Sequence, residues 1–231
     1  MTNAILSAYG VYMDKKIPEH VSKLIAANSG IKLDIGCGDA KNIGFVGMDY
    51  RARPGVDIVH DVEQFPWPLP DESVLVAVSS HLVEHLNPHH GDNRITSLVK
   101  LLLDKKIITP EEITEYIGEL DPDPRFMRFM DEVWRVLKPD GEFGMVFPYA
   151  GSPGYWQDPT HINGINECTW WYFDPEEPHL HGDLYTFYRP KPWRIKMSAY
   201  AKGGNMEIVL VKRAMKDEYL TMKPKIIGGQ S

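Results

Sequence analysis

The residues best suited to chemistry stand directly behind short apolar runs. Leu33-Asp34-Ile35-Gly36-Cys37-Gly38 is an apolar segment that breaks into a glycine turn. Glycine lets the backbone pass close to a ligand and adopt conformations that a Cβ forbids. A second run ends at Asp49, thirteen residues after Gly36. A carboxylate there can accept hydrogen bonds from both vicinal hydroxyls of a ribose. Asp61 closes a third run and is placed to accept from an exocyclic adenine amine, with Val62 beside it. This is not the dinucleotide fingerprint, because Gly-x-Gly-x-x-Gly needs glycine where Lys41 stands. Three successive apolar runs ending in such residues point to an adenosine-bearing ligand.

Strands must present these groups. Residues 18–27 read as a helix: Pro18 suits a first helical position, Val21, Leu24 and Ile25 share a face, and Asn28-Ser29-Gly30 stops it. Strands are predicted at residues 31–35, 45–49, 56–59 and 74–79. Thr109-Pro110-Glu111-Glu112 has capping-box spacing and predicts a helix through Leu120. A further helix opens at Asp123-Pro124, carries Phe126, Met130, Val133 and Leu137 as its stripe, and ends at Lys138-Pro139-Asp140-Gly141. Residues 142–147 read as a fifth strand, and residues 193–200 and 206–211 flank the hairpin signal Lys202-Gly203-Gly204-Asn205. The pattern predicts an α/β fold with a mainly parallel sheet and an antiparallel C-terminal edge. Ligands of such sheets bind beyond the carboxyl ends of the strands. That is where the candidate residues fall.

Residues 32–86, followed by Val133-Trp134-Arg135-Val136-Leu137-Lys138-Pro139-Asp140-Gly141, resemble a class I S-adenosylmethionine-dependent methyltransferase of Rossmann-like type. Leu33 to Gly38 is similar to the family's first motif, and Ser79-Ser80-His81-Leu82-Val83-Glu84-His85-Leu86 to the segment after its fourth strand. The resemblance implies a three-layer α/β/α sandwich around a seven-stranded sheet, and S-adenosyl-L-methionine as cofactor. It implies that Asp34 orients the methionine amino group and that Gly36, Cys37 and Gly38 pass beneath the cofactor. Asp49 takes the ribose hydroxyls, Asp61 and Val62 bracket the adenine, and Ser79 lines the methionine side. Two departures stand out: Ala40 replaces a frequent third glycine, and only six residues separate Gly38 from Phe45. A shortened or absent helix is expected there.

A rival motif overlaps the fourth segment. His81-Leu82-Val83-Glu84-His85 fits His-x-x-Glu-His. On a helix, His81 and His85 would share a face and hold Zn²⁺, with Glu84 as general base, making a zinc-dependent hydrolase. That alternative leaves the glycine turn, Asp49 and the phrase from Arg135 to Gly141 without a role, so no metal is expected, and His85 reads as a buried histidine bonded to backbone. Candidate catalytic bases for methyl transfer are His161 and His81, since an unperturbed imidazole titrates at about 6.5. His81 follows the fourth strand, His161 comes from Gln157-Asp158-Pro159-Thr160-His161, and Glu84 is expected to point away.

The rest of the chain sets limits. Its 231 residues suit one methyltransferase domain, with insertions at residues 87–124 (helical, with Leu98, Leu101 and Leu102 as an apolar face) and 149–192. The second insertion and its flank, to Trp193, hold ten of the 25 aromatic residues, suited either to stacking on an acceptor or to a small core of their own. A hydrophobic fraction of 43% with 25% charged residues excludes wholesale disorder. The formal charge of −7 disfavours nucleic acid and membrane as partners and favours a small-molecule or glycan acceptor. Nucleic-acid or protein methylation and a non-catalytic cofactor-binding module are the further alternatives. Cys37 and Cys168 cannot build a disulfide framework or a four-cysteine zinc site. With no basic leader and no apolar run approaching a span of about 20 residues, the chain is expected to be soluble and cytoplasmic.

Overall fold

The computed structural model describes residues 17–87 and 125–225, with positions 102, 105–107 and 109 between them. Seven strands form one sheet: β1 (Ile31–Ile35), β2 (Val46–Asp49), β3 (Ile58–Val59), β4 (Val74–Ser80), β5 (Leu137–Pro148), β6 (Trp193–Tyr200) and β7 (Asn205–Lys212). Their order is β3-β2-β1-β4-β5-β7-β6. Pairings from β3 to β5 are parallel, whereas β7 runs antiparallel to both β5 and β6. The chain reverses between β1 and β4, so the crevice beyond their carboxyl ends is where a ligand is expected.

Helix α1 (Glu19–Asn28) forms where predicted, with Pro18 as its N-cap rather than its first residue, and α2 (Arg125–Val136) carries Phe126, Met130 and Val133 of the expected stripe, Leu137 falling in β5 instead. Phe126, Phe129, Met130, Val133 and Val136 of α2 are buried in one apolar cluster with Leu33, Ile35, Ala77, Phe143 and Leu210 of the sheet. Three shorter helices follow: α3 (Pro153–Trp156), α4 (Tyr185–Tyr188) and α5 (Asp217–Thr221). Residues 36–45 between β1 and β2 form turns only, in line with the short spacing after Gly38, and the links to β3 and β4 carry no helix either. The helical layers are therefore sparse among the described residues. No described helix is long and apolar enough to cross a membrane. The helix predicted from Thr109 to Leu120 lies outside the described residues, as do most of the 87–124 insertion and His89-His90.

β5 starts earlier than the sequence predicts. Leu137 already pairs with Val74, and pairing resumes with Glu142 opposite Val76 across a bulge. Lys138-Pro139-Asp140-Gly141 is thus a kink within the strand, with Asp140 at φ 59°. The hairpin between β6 and β7 is as predicted, with Gly203 and Gly204 at φ 80° and 81°.

The Arg135 phrase has a positional role. Arg135 lies in the last turn of α2 and binds Glu132 through Nε at 3.0 Å and Asp71 through Nη1 at 2.5 Å. Glu132 Oε1 in turn accepts from the Trp67 backbone N–H at 2.6 Å. This network fixes the approach to β4. Arg135→Met is expected to lower stability by about 2–3 kcal/mol, because it strands a largely buried Glu132 carboxylate. The loss should be read as a lower urea midpoint at unchanged slope.

Candidate functional site

At the carboxyl ends of β1, β2 and β3 lies a cavity of about 570 Å³. Gly36, Asp49, Asp61 and Val62 line it together with His81, Leu82, His85 and Thr160. Gly36 sits at φ +70°, and a Cβ there would stand 3.1 Å from the Leu82 methyls. The turn therefore cannot take a larger residue without strain and a clash. Asp49 is 8% exposed and accepts the Gly38 N–H through Oδ2 and the Arg51 N–H through Oδ1, each at 3.0 Å. Each carboxylate oxygen keeps a further lone pair, so ribose hydroxyls can still donate to it. Asp61 Oδ1 accepts the Glu63 N–H at 3.0 Å in a tight turn that presents the side chain.

The other expected cofactor residues stand off this wall. Asp34 is 4% exposed, and its Oδ2 holds Asn42 through the backbone N–H at 2.7 Å and the side-chain amide at 2.9 Å. Asp34 thereby fixes the loop that replaces the missing helix. Cys37 is buried, and burial, helped by the Asp34 and Asp49 charges, pushes its thiol up to about 11. Its sulfur would lie 2.7 Å from a Cβ on Gly47, so it packs between β1 and β2. Gly38, at φ +53°, gives its N–H to Asp49. Ser79 lines a second cavity, of about 380 Å³, with Asn42 and Gly144. Its buried hydroxyl has no hydrogen-bond partner among the described residues, a gap that a ligand group at the end of β4 would fill. Tyr50, directly after Asp49, also lines the larger cavity and was not singled out by sequence. Its position behind a strand-end carboxylate was the available signal.

His81, Glu84, His85 and His161 come together beside the crevice. The His-x-x-Glu-His segment is not an α-helix: His81 has φ 53°, and only Val83–His85 forms a single 3-10 turn. His81 and His85 therefore do not share a helical face, and the arrangement behind the zinc-hydrolase alternative is not formed. The 158–163 loop is tied down onto this turn instead. The Glu84 carbonyl accepts the N–H groups of Ile162 and Asn163 at 3.0 and 2.9 Å, and the Val83 carbonyl accepts the Asn163 amide at 2.9 Å. Asp158 Oδ1 accepts both the N–H and the hydroxyl of Thr160, closing the turn that carries His161. His161 comes to lie 4.8 Å from His85, ring centre to ring centre.

Glu84, expected to point away from the crevice, is 0% exposed, and neither carboxylate oxygen has a hydrogen-bond partner among the described residues. Burial pushes its carboxyl above the usual carboxylate range, against the pull of its own backbone N–H and of the charges at His85, His81 and His161. His81 Nδ1 stands 3.3 Å from Glu84 Oε1, and half of the His81 side chain is exposed to the crevice. His161 is different: its side chain is 8% exposed, and it is absent from the cavity wall.

The aromatic residues of the insertion and its flank divide between core and surface. Trp170, Phe173, Tyr185 and Trp193 are buried at 1% exposure or less, whereas Trp156, Phe187 and Tyr188 are exposed. Asn166 caps the 3-10 helix Glu167–Tyr172, which carries Trp170 against Phe147 of β5 and Phe126 of α2.

A sheet ordered 3-2-1-4-5-7-6, with an antiparallel seventh strand and its cavity at the ends of β1 to β3, is the class I methyltransferase fold. Among solved structures, the chain is similar to a SAM-dependent methyltransferase from Archaeoglobus fulgidus, at 12% identity over 90% of this chain and 98% of that one, with a TM-score of 0.47. It is similar to a 16S rRNA (adenine(1408)-N(1))-methyltransferase from Catenulisporales acidiphilia, at 12% identity over 87% and 93%, TM-score 0.45. A SAM-dependent methyltransferase from Aquifex aeolicus gives 14% identity over 86% and 90%, TM-score 0.43. No protein-family model matches the chain, and no curated protein matches its sequence.

Proposed function

We propose that this protein is an S-adenosylmethionine-dependent methyltransferase acting on an O or N nucleophile of a small polar molecule or glycan. The observation that carries the reading is the convergence of Gly36, Asp49, Asp61, Val62 and His81 on one cavity. The cofactor, when bound, supplies a methyl already activated by its sulfonium. Asp49 accepts the ribose hydroxyls, Asp61 and Val62 bracket the adenine, and the Gly36 to Gly38 turn gives room beneath. Asp34 and Cys37 support that turn, and Ser79, read as lining the methionine side, borders the neighbouring cavity at the end of β4. The residues around His81 hold the acceptor in line, and such alignment can lower a barrier by roughly 7–11 kcal/mol.

Of the two candidate bases, His81 fits better, because it lines the cavity and has Glu84 behind its Nδ1. His161 is held back from the wall by the bond from its Nδ1 to the Tyr155 carbonyl at 2.7 Å. The overall charge of −7 supports a small acceptor over a nucleic acid.

Asp49→Ala is expected to weaken S-adenosylhomocysteine binding by about 1–3 kcal/mol, the worth of hydrogen bonds to a charged group. Calorimetry on a folded variant checks this, and unchanged affinity would remove the proposed ribose contact. The function itself is tested by incubating the protein and methyl-labelled cofactor with extract fractions of small metabolites and glycans, then identifying the labelled product by mass. Absence of any labelled product across polar-metabolite, glycan, nucleic-acid and protein fractions would favour a cofactor-binding module without turnover.

A further inference from the structure

We infer that Glu84, His85 and His161 form a binding site for one divalent first-row transition-metal ion, beside the crevice rather than within the cofactor half. Each of the three offers a ligand atom, and these atoms lie within 4.8 Å of one another. The set differs from the one the sequence motif suggested, since His161 arrives from a loop 75 residues and more downstream and His81 is not part of it.

Three features of the cluster point to a cation. The first is the orphaned carboxylate: Glu84 is fully buried, yet neither oxygen has a hydrogen-bond partner among the described residues. Burying a carboxylate without partners is costly, and a bound cation is a direct remedy. The second is the fixing of both imidazoles from behind. His85 Nδ1 lies 3.2 Å from the Thr160 carbonyl, and His161 Nδ1 lies 2.7 Å from the Tyr155 carbonyl. A carbonyl can only accept, so both Nδ1 atoms carry the proton and both Nε2 lone pairs are left for another partner. Metal-bound histidines show this same pattern, with the outer nitrogen donating to a carbonyl. The third is a neighbouring anion. Asp158 Oδ2 stands 3.7 Å from His161 Nε2, while Oδ1 is held by Thr160.

Two imidazoles and one carboxylate on one side of an ion, with the remaining positions open, suit zinc, iron(II), manganese(II) or cobalt(II) and discriminate against magnesium and calcium. Ligand bonds of about 2.0–2.2 Å require the three atoms to draw together by roughly 1–2 Å. Rotation of the Glu84 side chain, whose oxygens are not held by hydrogen bonds, can provide that. His85 and Thr160 also line the cavity, so the open positions face the crevice. An oxygen of the acceptor, a hydroxyl or a carboxylate, is the ligand that would complete the ion. That last step rests on the methyltransferase reading; the metal site does not.

The test uses the full chain, stripped with chelator and titrated with Zn²⁺ and with Co²⁺, without cofactor or acceptor. One equivalent per chain is expected, and Co²⁺ should give the visible absorption of a nitrogen and oxygen site. Glu84→Gln and His161→Gln should each weaken binding at least about 100-fold while circular dichroism stays that of the parent. His179→Gln, at an exposed imidazole elsewhere on the chain, should leave binding unchanged. Failure of the parent to bind, or binding equally tight in Glu84→Gln and His161→Gln, would overturn the site. Because S-adenosylhomocysteine affinity is measured separately, loss of either result leaves the other standing.

Discussion

His81→Gln is expected to slow the methyl-transfer step by about 10²–10⁴-fold, the usual contribution of a positioned base, while leaving S-adenosylhomocysteine affinity unchanged. The imidazole lines the same cavity as Gly36 and Asp49, and its Nδ1 is 3.3 Å from a buried carboxylate. Glutamine preserves size and polarity but cannot accept a proton at neutral pH. Single-turnover kinetics with the true acceptor are needed, because slow product release would otherwise mask the chemical step. His161→Gln should also slow transfer, by another route: its imidazole is withdrawn from the wall and acts through the Glu84 cluster. A His81→Gln enzyme that transfers methyl at the parent rate would show that alignment alone carries the reaction.

The largest effect on stability should come from the aromatic insertion. Trp170 is fully buried, with ring centres of Phe147 at 5.7 Å, Phe173 at 6.1 Å and Phe126 at 6.2 Å. Trp170→Ala is expected to cost about 3–5 kcal/mol, from lost burial plus the cavity left behind. Trp170→Phe should cost much less, since the indole N–H has no partner among the described residues to lose. Trp156→Ala, at a side chain 75% exposed, should lie within about 0.5 kcal/mol of the parent. Urea denaturation of the three variants checks the ranking. Equal small losses at Trp170 and Trp156 would mean that the insertion is a recognition surface rather than a core.

The contrast between these two tryptophans shows where sequence reading stops. Composition placed ten aromatic residues in or beside one insertion, but not which of them face inward. That is decided by tertiary packing against Phe126 and Phe147, far away in sequence. The sheet was legible because its strands are short apolar runs cut by glycine, proline and aspartate, and the gap after Gly38 was too short for a helix. The start of β5 was not, because a bulge lets Leu137 join the sheet across a Pro-Asp-Gly kink. Asp49 and Asp61 could be read from strand ends alone. The hold of Asp34 on Asn42 could not, since nothing in the sequence marks Asn42 as its partner. Glu84 was the least legible, since its burial depends on a loop that returns to it only at Ile162 and Asn163.

The central claim is that the crevice beyond β1, β2 and β3 holds the adenosine and methionine parts of S-adenosylmethionine. Calorimetric titration of the purified full chain with S-adenosylhomocysteine tests it most directly, with NAD as the comparison ligand. The expected result is saturable binding of one S-adenosylhomocysteine per chain and no binding of NAD, because Lys41 stands where the dinucleotide turn needs glycine. A folded protein that shows no heat of binding and no competition with S-adenosylmethionine, or that prefers NAD, would contradict it.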